Sequence, residues 1–164
     1  MTDGMQEVWR PALIEDPAFV ANWWGRRWFA SFMIAGGQRF DPADVELLVV
    51  DDAGGHRVGV ATFTRAGDAL LLITLDAEEK RRGIGFSLIW TLRKIARERS
   101  LKVIKVSTSN DNLDALGFYQ RLGFRIRSVR RDAMDEVRQL KPGIPRVADN
   151  GIPISDEIEL DILL

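Results

Sequence analysis

Runs of apolar residues in the first half of the chain predict a sheet that begins with hairpins. Residues 45–50 (VELLVV) and 58–64 (VGVATFT) flank a glycine-containing turn, a pattern typical of an antiparallel hairpin. A third run, residues 69–75 (ALLLITL), is too apolar for a half-exposed strand, so it predicts a strand in the centre of the sheet.

The hydrophobic period changes at the segment GIG. Ile84, Leu88, Leu92 and Ile95 recur at spacings of three and four residues, which predicts an amphipathic helix packed on the sheet. The next apolar run, residues 101–108 (LKVIKVST), predicts a buried strand. A strand, a helix and a second strand in this order imply a parallel pair joined by a right-handed crossover.

Further elements surround this centre. In chain order the pattern predicts a helix over 17–25, a strand over 27–34, a loop over 35–44, a helix over 112–122, a strand over 124–130, a helix over 132–141 and a terminal strand with one wet face over 156–164. The expected fold is α/β, with a mixed central sheet, antiparallel N-terminal strands, a parallel central pair with a β-α-β crossover, and helices on both faces. The length of 164 residues and the lack of a linker predict a single domain over 1–164.

Composition and charge narrow the classes of function. The chain has 23 Lys and Arg residues against 24 Asp and Glu residues, so binding to nucleic acid or to an anionic membrane is not expected. It has no cysteine, and its one histidine, His56, lies in a glycine turn as a solvated residue, so no metal site is expected. No signal peptide and no apolar segment of roughly 20 residues is present, so a cytoplasmic protein is expected.

The segment before the amphipathic helix has the composition of an anion-binding loop. Lys80, Arg81 and Arg82 carry positive charge, and Gly83 and Gly85 let an anion approach the main chain without a Cβ in the way. The free N–H groups and the positive end of the helix dipole point to the same place. The loop therefore predicts a phosphate site, although it matches neither a Walker A loop nor a dinucleotide fingerprint. A tight turn with solvated arginines is the structural alternative.

A second group of candidate residues follows one strand later, in NDNLDALGFYQRLGF. Asn112 and Tyr119 lie seven residues apart, so they project from the same side of a helix with roughly 10 Å of axial separation. Each also has a structural interpretation. Asp111 or Asn112 is a natural N-cap, and Tyr119, the one tyrosine of the chain, fits equally as a packed aromatic.

Together the two segments resemble the motifs of the GNAT superfamily of acetyl-CoA-dependent N-acetyltransferases. KRRGIG follows a strand and precedes a helix, NLDALGFYQRLGF follows the next strand, and the resemblance covers about residues 70–125. The tail segments LKPGIP and NGIPISDEIEL resemble a subgroup of bacterial members, which leaves the acceptor unassigned. Lys80 stands where the family has Arg or Gln, and its ammonium cannot make a bidentate phosphate contact.

The resemblance implies acetyl-CoA as acyl donor and assigns roles to residues. Loop amides from Arg81 to Phe86 would hold the CoA pyrophosphate, and the backbone of Ile73 to Leu75 would pair with the pantetheine arm. Asn112 would contact the cofactor, and Tyr119 would protonate the departing thiolate. The implied cofactor-binding set is Ile73, Thr74, Leu75, Lys80, Arg81, Arg82, Gly83, Ile84, Gly85, Phe86 and Asn112.

The expected reaction is direct attack of a primary amine, on a small molecule or a protein, on the thioester. A main-chain N–H near the end of the 69–75 strand would hold the oxyanion. The base that deprotonates the amine is either Asp76 or a water chain, and Asp76 also fits as a solvated loop carboxylate. The cluster of Trp23, Trp24 and Trp28 is either core packing or an acceptor pocket, and packing is favoured.

Two other classes of function compete with catalysis. The chain could bind acyl-CoA without transfer, as a sensor or an assembly module. RNA binding through the arginines is weaker, because stacking aromatic residues are not interleaved with them. The acidic residues of 156–164 either attract a cationic amine or form the exposed face of the last strand. The sequence leaves open the acceptor, the acyl chain length and the oligomeric state, including a homodimer.

Overall fold

A computed structural model describes residues 9–78 and 83–164. In chain order they form β1 (Ala12–Ile14), α1 (Pro17–Trp28), β2 (Met33–Ala35), β3 (Gln38–Phe40), a 3₁₀ turn (Pro42–Asp44), β4 (Glu46–Asp51), β5 (Arg57–Ala66), β6 (Ala69–Ala77), α2 (Ile84–Glu98), β7 (Val103–Ser109), α3 (Leu113–Arg121), β8 (Arg125–Arg130), α4 (Ala133–Leu140) and β9 (Glu157–Leu163). Seven strands form one sheet in the order β1-β4-β5-β6-β7-β9-β8, and β2 pairs with β3 in a separate hairpin.

The predicted mixed α/β architecture is confirmed. Strands β4, β5 and β6 pair antiparallel in succession, whereas β6 and β7 run parallel and are joined by α2. The apolar stripe of α2, including Leu88 and Leu92, is buried in a core on one face of the sheet. Helix α1 buries Val20, Trp23 and Trp24 in a second core on the other face. These two faces are called the α2 face and the α1 face below.

Helix α1 is longer than the sequence pattern predicted. Asp16 caps it by accepting a hydrogen bond from the Phe19 N–H at 3.0 Å, and the helix continues through Gly25 to Trp28. Because tertiary packing of the apolar face outweighs the low helix propensity of one glycine, the helix does not stop there. The predicted strand over 27–34 is therefore wrong, apart from the first two residues of β2.

The predicted loop over 35–44 is partly wrong as well. It contains the turn and the second strand of the β2–β3 hairpin, in which Met33 pairs with Phe40 and Ala35 pairs with Gln38. Gly36 and Gly37 form the two-residue turn with φ values of 59° and 76°. A tight hairpin turn that matches the twist of its strands needs positive φ at both positions, which glycine adopts without strain.

The last strand lies inside the sheet and not at its edge. Strand β9 pairs with β7 on one side and with β8 on the other. Its apolar residues face the α2 core, and its three carboxylates face the arginines of β8, with Arg130 Nη1 at 3.3 Å from Glu157 Oε1 and Arg127 Nη1 at 2.8 Å from Asp161 Oδ2. The predicted wet face of this strand is therefore only partly exposed, because Glu157 is buried, whereas 27% of the Glu159 side chain and 16% of the Asp161 side chain are exposed.

Candidate active site

A bulge in β6 separates this strand from β7. Leu72 pairs with Phe63 of β5 and Thr74 pairs with Thr62, so Ile73 is an extra residue that has no partner in β5. A bulge bends a strand and increases its twist. The parallel ladder between β6 and β7 accordingly ends at the pair of Leu72 and Val106.

Strand β7 does not follow β6 at the bulge. It stays paired with β9 as far as Ser109 opposite Glu157. The carboxyl ends of β6 and β7 therefore diverge. In the part of the chain that the structure describes, no strand pairs with residues 73–77 on their β7 side. A ligand with amide groups can occupy this backbone edge in the manner of an added strand.

The bulge also shifts the direction of the side chains by one residue. Leu72 and Leu75 lie in the α2-face core, whereas Ile73 lies in the α1-face core. Thr74 points to the α1 face too, where its hydroxyl contacts the hydroxyl of Thr62 and accepts a hydrogen bond from Trp24 Nε1 at 3.3 Å. The polar side chain of Thr74 is thus satisfied inside the fold and leaves the main chain as the available donor and acceptor.

Helix α2 begins at the same end of β6 with an open N-terminus. Gly83 is its N-cap in the left-handed region, with φ of 81°, and no side chain caps the helix or places a carboxylate in its first turn. Ser87 is the first residue whose N–H bonds within the helix, to the Gly83 carbonyl at 3.0 Å. Among the described residues, the N–H groups of Ile84, Gly85 and Phe86 have no acceptor, and such a helix end binds anions.

Two glycines allow α2 to lie close to its neighbours. A Cβ added at Gly59 of β5 would lie 2.5 Å from Ile84 Cγ2, and one added at Gly85 would lie 3.0 Å from the ring of Phe118. Both distances are shorter than van der Waals contact. The first turn of α2 is therefore held against β5 on one side and against α3 on the other, which fixes the position of its free N–H groups.

Helix α3 brings the two candidate residues of the second motif into place. Asn112 is its N-cap, and its Oδ1 accepts a hydrogen bond from the Ala115 N–H at 3.1 Å, so the structural interpretation of this residue is confirmed. Tyr119 is 6% exposed and packs between Phe118 and Phe124, with ring centroids 5.3 and 5.4 Å away. It belongs to the same α2-face core as Leu75 and Ile84.

Among the described residues, Arg93 Nε and Asp111 Oδ1 are the buried side-chain polar atoms without a hydrogen-bond partner. The hydroxyl of Tyr119 is not one of them, although the residue as a whole is only 6% exposed. Burial raises its pKa above the ordinary value of 10.0, because the protein interior disfavours the phenolate. Tyr119 therefore stays a neutral donor throughout the physiological pH range.

The described part of the loop places four of the predicted binding residues together. Gly83, Ile84, Gly85 and Phe86 lie at the open end of α2, beside the edge of residues 73–77 that no described strand pairs on its β7 side. The predicted side-chain contacts of Lys80, Arg81 and Arg82 fall outside the described residues.

Asp76 is not the solvated loop carboxylate that the sequence allowed. It lies within β6, its side chain is 23% exposed, and Arg27 Nη2 of α1 donates to its Oδ1 at 2.5 Å. The pairing ties α1 to the end of β6. A carboxylate engaged in this way is a weaker candidate for accepting a proton from a substrate.

The tryptophan cluster is mainly part of the core, as the sequence favoured. Trp24 is fully buried, Trp23 is nearly so, and Trp28 packs edge-on against Trp23 with ring centroids 5.0 Å apart. His56 is exposed beside Glu78, as predicted for a turn residue. In the described ranges no group of three His, Asp or Glu residues is arranged to hold a metal, and no helix is long and apolar enough to cross a bilayer.

Sequence reasoning missed two buried charges near the α1 face. Lys141 is 3% exposed, and its Nζ donates to the Trp28 carbonyl at 3.1 Å and lies 3.3 Å from Met33 Sδ. Burial lowers the pKa of Lys141 to about 8. Glu157 accepts hydrogen bonds from the Gly36 N–H at 3.1 Å and from Arg130, and burial raises its pKa. Neither contact has a local sequence signal, because each joins segments distant in the chain.

Comparison with known proteins assigns the family. Residues 14–124 match the model of the acetyltransferase (GNAT) family. The chain is 38% identical over 144 residues to the Bacillus subtilis (strain 168) protein YxbD, which covers 87% of each chain. Its fold is similar to that of the IAA acetyltransferase from Bacillus cereus ATCC 14579, with a TM-score of 0.74, 21% identity and coverage of 96% of this chain and 100% of that chain.

A second solved structure carries a bound ligand. The fold is similar to that of an acetyltransferase from Bacillus subtilis in complex with CoA, with a TM-score of 0.71, 18% identity and coverage of 96% of this chain and 99% of that chain. At this identity the likeness shows the fold. The family match covers most of the chain, and the open helix end, the diverging strands and the aromatic helix α3 agree with it. The protein belongs to the GNAT acetyltransferase family, whose acyl donor is acetyl-CoA.

Proposed function

We propose that the protein transfers an acetyl group from acetyl-CoA to a primary amine, on a small molecule or a protein, by direct attack. The observation that carries this proposal is the meeting of two unpaired main-chain surfaces at one end of β6. One is the strand edge beyond Leu72, and the other is the open N-terminus of α2. A ligand with a diphosphate at one end and an amide-containing arm at the other fits this pair of surfaces.

The donor groups match CoA group by group. The N–H groups of Ile84, Gly85 and Phe86 suit the pyrophosphate, and the positive end of the α2 dipole adds to the attraction. Cations at Lys80, Arg81 and Arg82 would add charge beside it. The main chain of Ile73, Thr74 and Leu75 suits the amides of the pantetheine arm. Asn112 keeps only its side-chain NH₂ for the cofactor, because its Oδ1 caps α3.

Tyr119 is the proposed proton donor to the leaving sulfur. A thiol has a pKa of about 8.5 and a phenol one of about 10, so donation to a fully formed thiolate is already uphill by roughly 2 kcal/mol. Burial raises the pKa of Tyr119 further, which increases this cost. Donation must therefore accompany C–S cleavage, before full charge develops on sulfur. The aromatic packing on both sides of the ring fixes the position of the phenol, which suits a donor that acts only at that moment.

The burial of Tyr119 also favours a second function, binding of acyl-CoA without transfer. The side chain of Tyr119 is almost enclosed by the α2-face core, and a phenol that does not reach the thioester would leave the protein as a binding module for acyl-CoA. Both functions require the CoA site. They differ in whether thiol is released when an amine is added.

Thiol release across a broad panel of amines separates the two functions. Thermal shifts with acetyl-CoA first establish binding. We expect release with at least one amine, and we expect Tyr119→Phe to lower kcat by about 100-fold while CoA affinity changes little. Phe124→Leu is the packing control, because it loosens an aromatic contact of Tyr119 without removing a hydroxyl. Binding with no release on any amine favours the sensor, and absence of binding contradicts both.

Three further expectations stay part of the proposal. They are a single acyltransferase domain over residues 1–164, a cytoplasmic location and the option of a homodimer. Light scattering coupled to gel filtration tests the last of these directly.

A further inference from the structure

We propose that Glu159 binds the ammonium of the acceptor and takes its first proton. The inference rests on the proposed acetyl transfer and names a base for it. The proposed base is thus a carboxylate on β9, on the face of the sheet opposite Tyr119, and it is not Asp76.

The register of the sheet places Glu159 beside the point where β6 and β7 diverge. Ser107 is the first residue of β7 beyond the last pair, Leu72 and Val106, and Glu159 lies directly opposite Ser107 on β9. Residues paired in this way have Cβ atoms about 5 Å apart on the same face. Because Val106 and Leu160 point into the α2-face core, Ser107 and Glu159 point to the α1 face.

Three carboxylates share that face of β9, and Glu159 is the one that accepts no hydrogen bond from a residue within 9–78 and 83–164. Glu157 accepts from the Gly36 N–H and from Arg130, and Asp161 accepts from Arg127. The nearest cation to Glu159 is Arg127, whose Nε lies 3.6 Å away, and within the described ranges no group donates a hydrogen bond to its side chain. With 27% of its side chain exposed, Glu159 is accessible and has free acceptor capacity.

Asp76 is less suited to the same task. Arg27 of α1 donates to Asp76 at 2.5 Å, so this carboxylate already has a cationic partner on the α1 face. An ammonium would have to displace a guanidinium to reach it.

The α1 face also provides room for an acceptor. The β2–β3 hairpin crosses this face from the α1-face core, where Phe40 is buried, to β9, where the Gly36 N–H bonds Glu157. A groove of about 340 Å³ lies on this face between the hairpin and the end of β5, and its lining includes Gln38, Arg39, Phe40, Thr64, Ala66 and Leu71. Thr64 and Ala66 pair with the start of β6, so the groove opens at the end of β6 opposite to the divergence, on the face to which Glu159 points.

The proton balance needs one carboxylate and one proton donor. The ammonium gives its first proton to Glu159, and the free nitrogen forms a bond to the thioester carbonyl carbon. The C–S bond then breaks, and the sulfur leaves with its electron pair. Tyr119 gives its hydroxyl proton to the sulfur as the C–S bond breaks, and the second proton of the nitrogen restores the hydroxyl of Tyr119, through water, as the amide forms. Glu159 finally releases its proton to water.

The charged residues of β7, β8 and β9 on this face are four cations and three anions: Lys105, Arg125, Arg127, Arg130, Glu157, Glu159 and Asp161. Arg130 donates to Glu157 and Arg127 donates to Asp161, whereas the ion pair of Glu159 with Arg127 Nε is longer, at 3.6 Å. Of the three carboxylates, Glu159 therefore has the most acceptor capacity left for an ammonium.

The test compares Glu159→Gln with Asp161→Asn, a matched amide substitution two residues along the same face. The probe is acetyl-CoA with the panel amine of highest kcat/KM, measured from pH 7 to 9.5. We expect Glu159→Gln to lower kcat/KM at pH 7 by about 100-fold, with a deficit that shrinks as the amine loses its own proton. Glu159→Asp should retain part of the activity, and Asp161→Asn should stay within about 3-fold of the parent.

A binding measurement accompanies the kinetics. Calorimetric titration of the same amine into the CoA complex should show about 10-fold weaker binding in Glu159→Gln, with an unchanged Kd for CoA. Three results would overturn the assignment. Glu159→Gln could lose activity equally at every pH, or it could stay within 3-fold of the parent. Asp76→Asn could instead show the loss that shrinks as pH rises. Failure of the parent protein to release thiol with any amine would count against the proposed function, and so the two failures are distinguishable.

Discussion

Leu72 of β6 and Val106 of β7 form the last pair of the parallel ladder, and the next residue of β6, Ile73, is the bulge residue. Up to this pair the two strands share a register, and beyond it β7 remains with β9. The opening between the strands therefore begins at the bulge in β6. The proposed pantetheine site begins at the residue after this pair on β6, and the proposed base, Glu159, lies opposite the residue after this pair on β7.

Gly83→Ala tests the left-handed cap of α2. An Ala side chain meets nothing within 4 Å at Gly83, so the cost is that of φ near 81°, about 1 kcal/mol in the free energy of unfolding. Gly25→Ala is the opposite control, because Gly25 lies inside α1 with equal space, and it should stabilise the protein by up to about 1 kcal/mol. Urea unfolding measures both, and a destabilised Gly25→Ala would contradict this account of the helix.

Tyr119 can be titrated alone, since the chain has one tyrosine. Burial raises its pKa, so the phenolate is disfavoured in the folded state and ionises more readily when unfolded. The contribution to stability is therefore complete below the unfolded pKa of about 10 and is lost as pH rises above it. We expect no tyrosinate absorbance at 295 nm from the folded protein up to pH 10. Ionisation below pH 10 would show that the phenol is more solvated than its packing indicates.

Lys141→Met tests the buried cation. The pKa of Lys141 is lowered from 10.5 to about 8, so the unfolded state binds more protons between these values and stability rises with pH across this window. Below pH 8 the buried charge costs about 3 kcal/mol. Because Lys141→Met also loses the hydrogen bond to the Trp28 carbonyl, we expect a net gain of about 2 kcal/mol at pH 7 that declines toward pH 10.

The control for this titration is Lys102→Met, at an exposed lysine. It should change the free energy of unfolding by less than about 0.5 kcal/mol at every pH. A similar pH dependence in both variants would mean that the effect comes from net charge and not from burial.

The pairing of Arg130 with Glu157 holds the β2–β3 hairpin against β9. Arg130→Met leaves the buried carboxylate of Glu157 with only the Gly36 N–H, which should cost about 2 kcal/mol of unfolding free energy at pH 7. Since the pKa of Glu157 is raised in the folded state, the deficit should shrink as pH falls and the carboxyl is protonated.

A double-mutant cycle isolates this pair. Glu157→Gln in the Arg130→Met background should recover part of the loss, because no buried charge remains unpaired. Lys94→Met, which breaks the exposed pair with Glu98, should cost less than about 0.5 kcal/mol. Additive losses in the cycle would show that the two side chains do not interact energetically.

The centre of the fold was predictable because its signals are local. The 69–75 run, the stripe of Leu88 and Leu92, and the next strand define the crossover by themselves. The end of α1 was not predictable, because a glycine in the sequence resembles a helix terminus. The helix continues through Gly25 because its apolar face packs on the sheet. The interior position of β9 depends on pairing with β7 and β8, which lie far from it in the chain.

In the candidate site, too, the residues with local sequence signals were predictable and the others were not. Gly83, Gly85 and Tyr119 came from motifs at fixed spacing. The bulge at Ile73 has no sequence signal, because the residues around it are apolar on both faces and the alternation that would show the slip is absent. Glu159 looked like one of several acidic residues in a terminal strand, and only the strand order and the occupied state of its neighbours single it out.

Hydrogen exchange with and without CoA tests the central claim most directly, because it measures the main-chain groups themselves. Binding should slow exchange at the amides of residues 73–75 and 84–86, with little change at β1 and β4, which lie beyond β5 in the sheet. Protection at both short segments is the predicted result. Binding of CoA that leaves both segments exchanging at their free rates would contradict the assignment of the site.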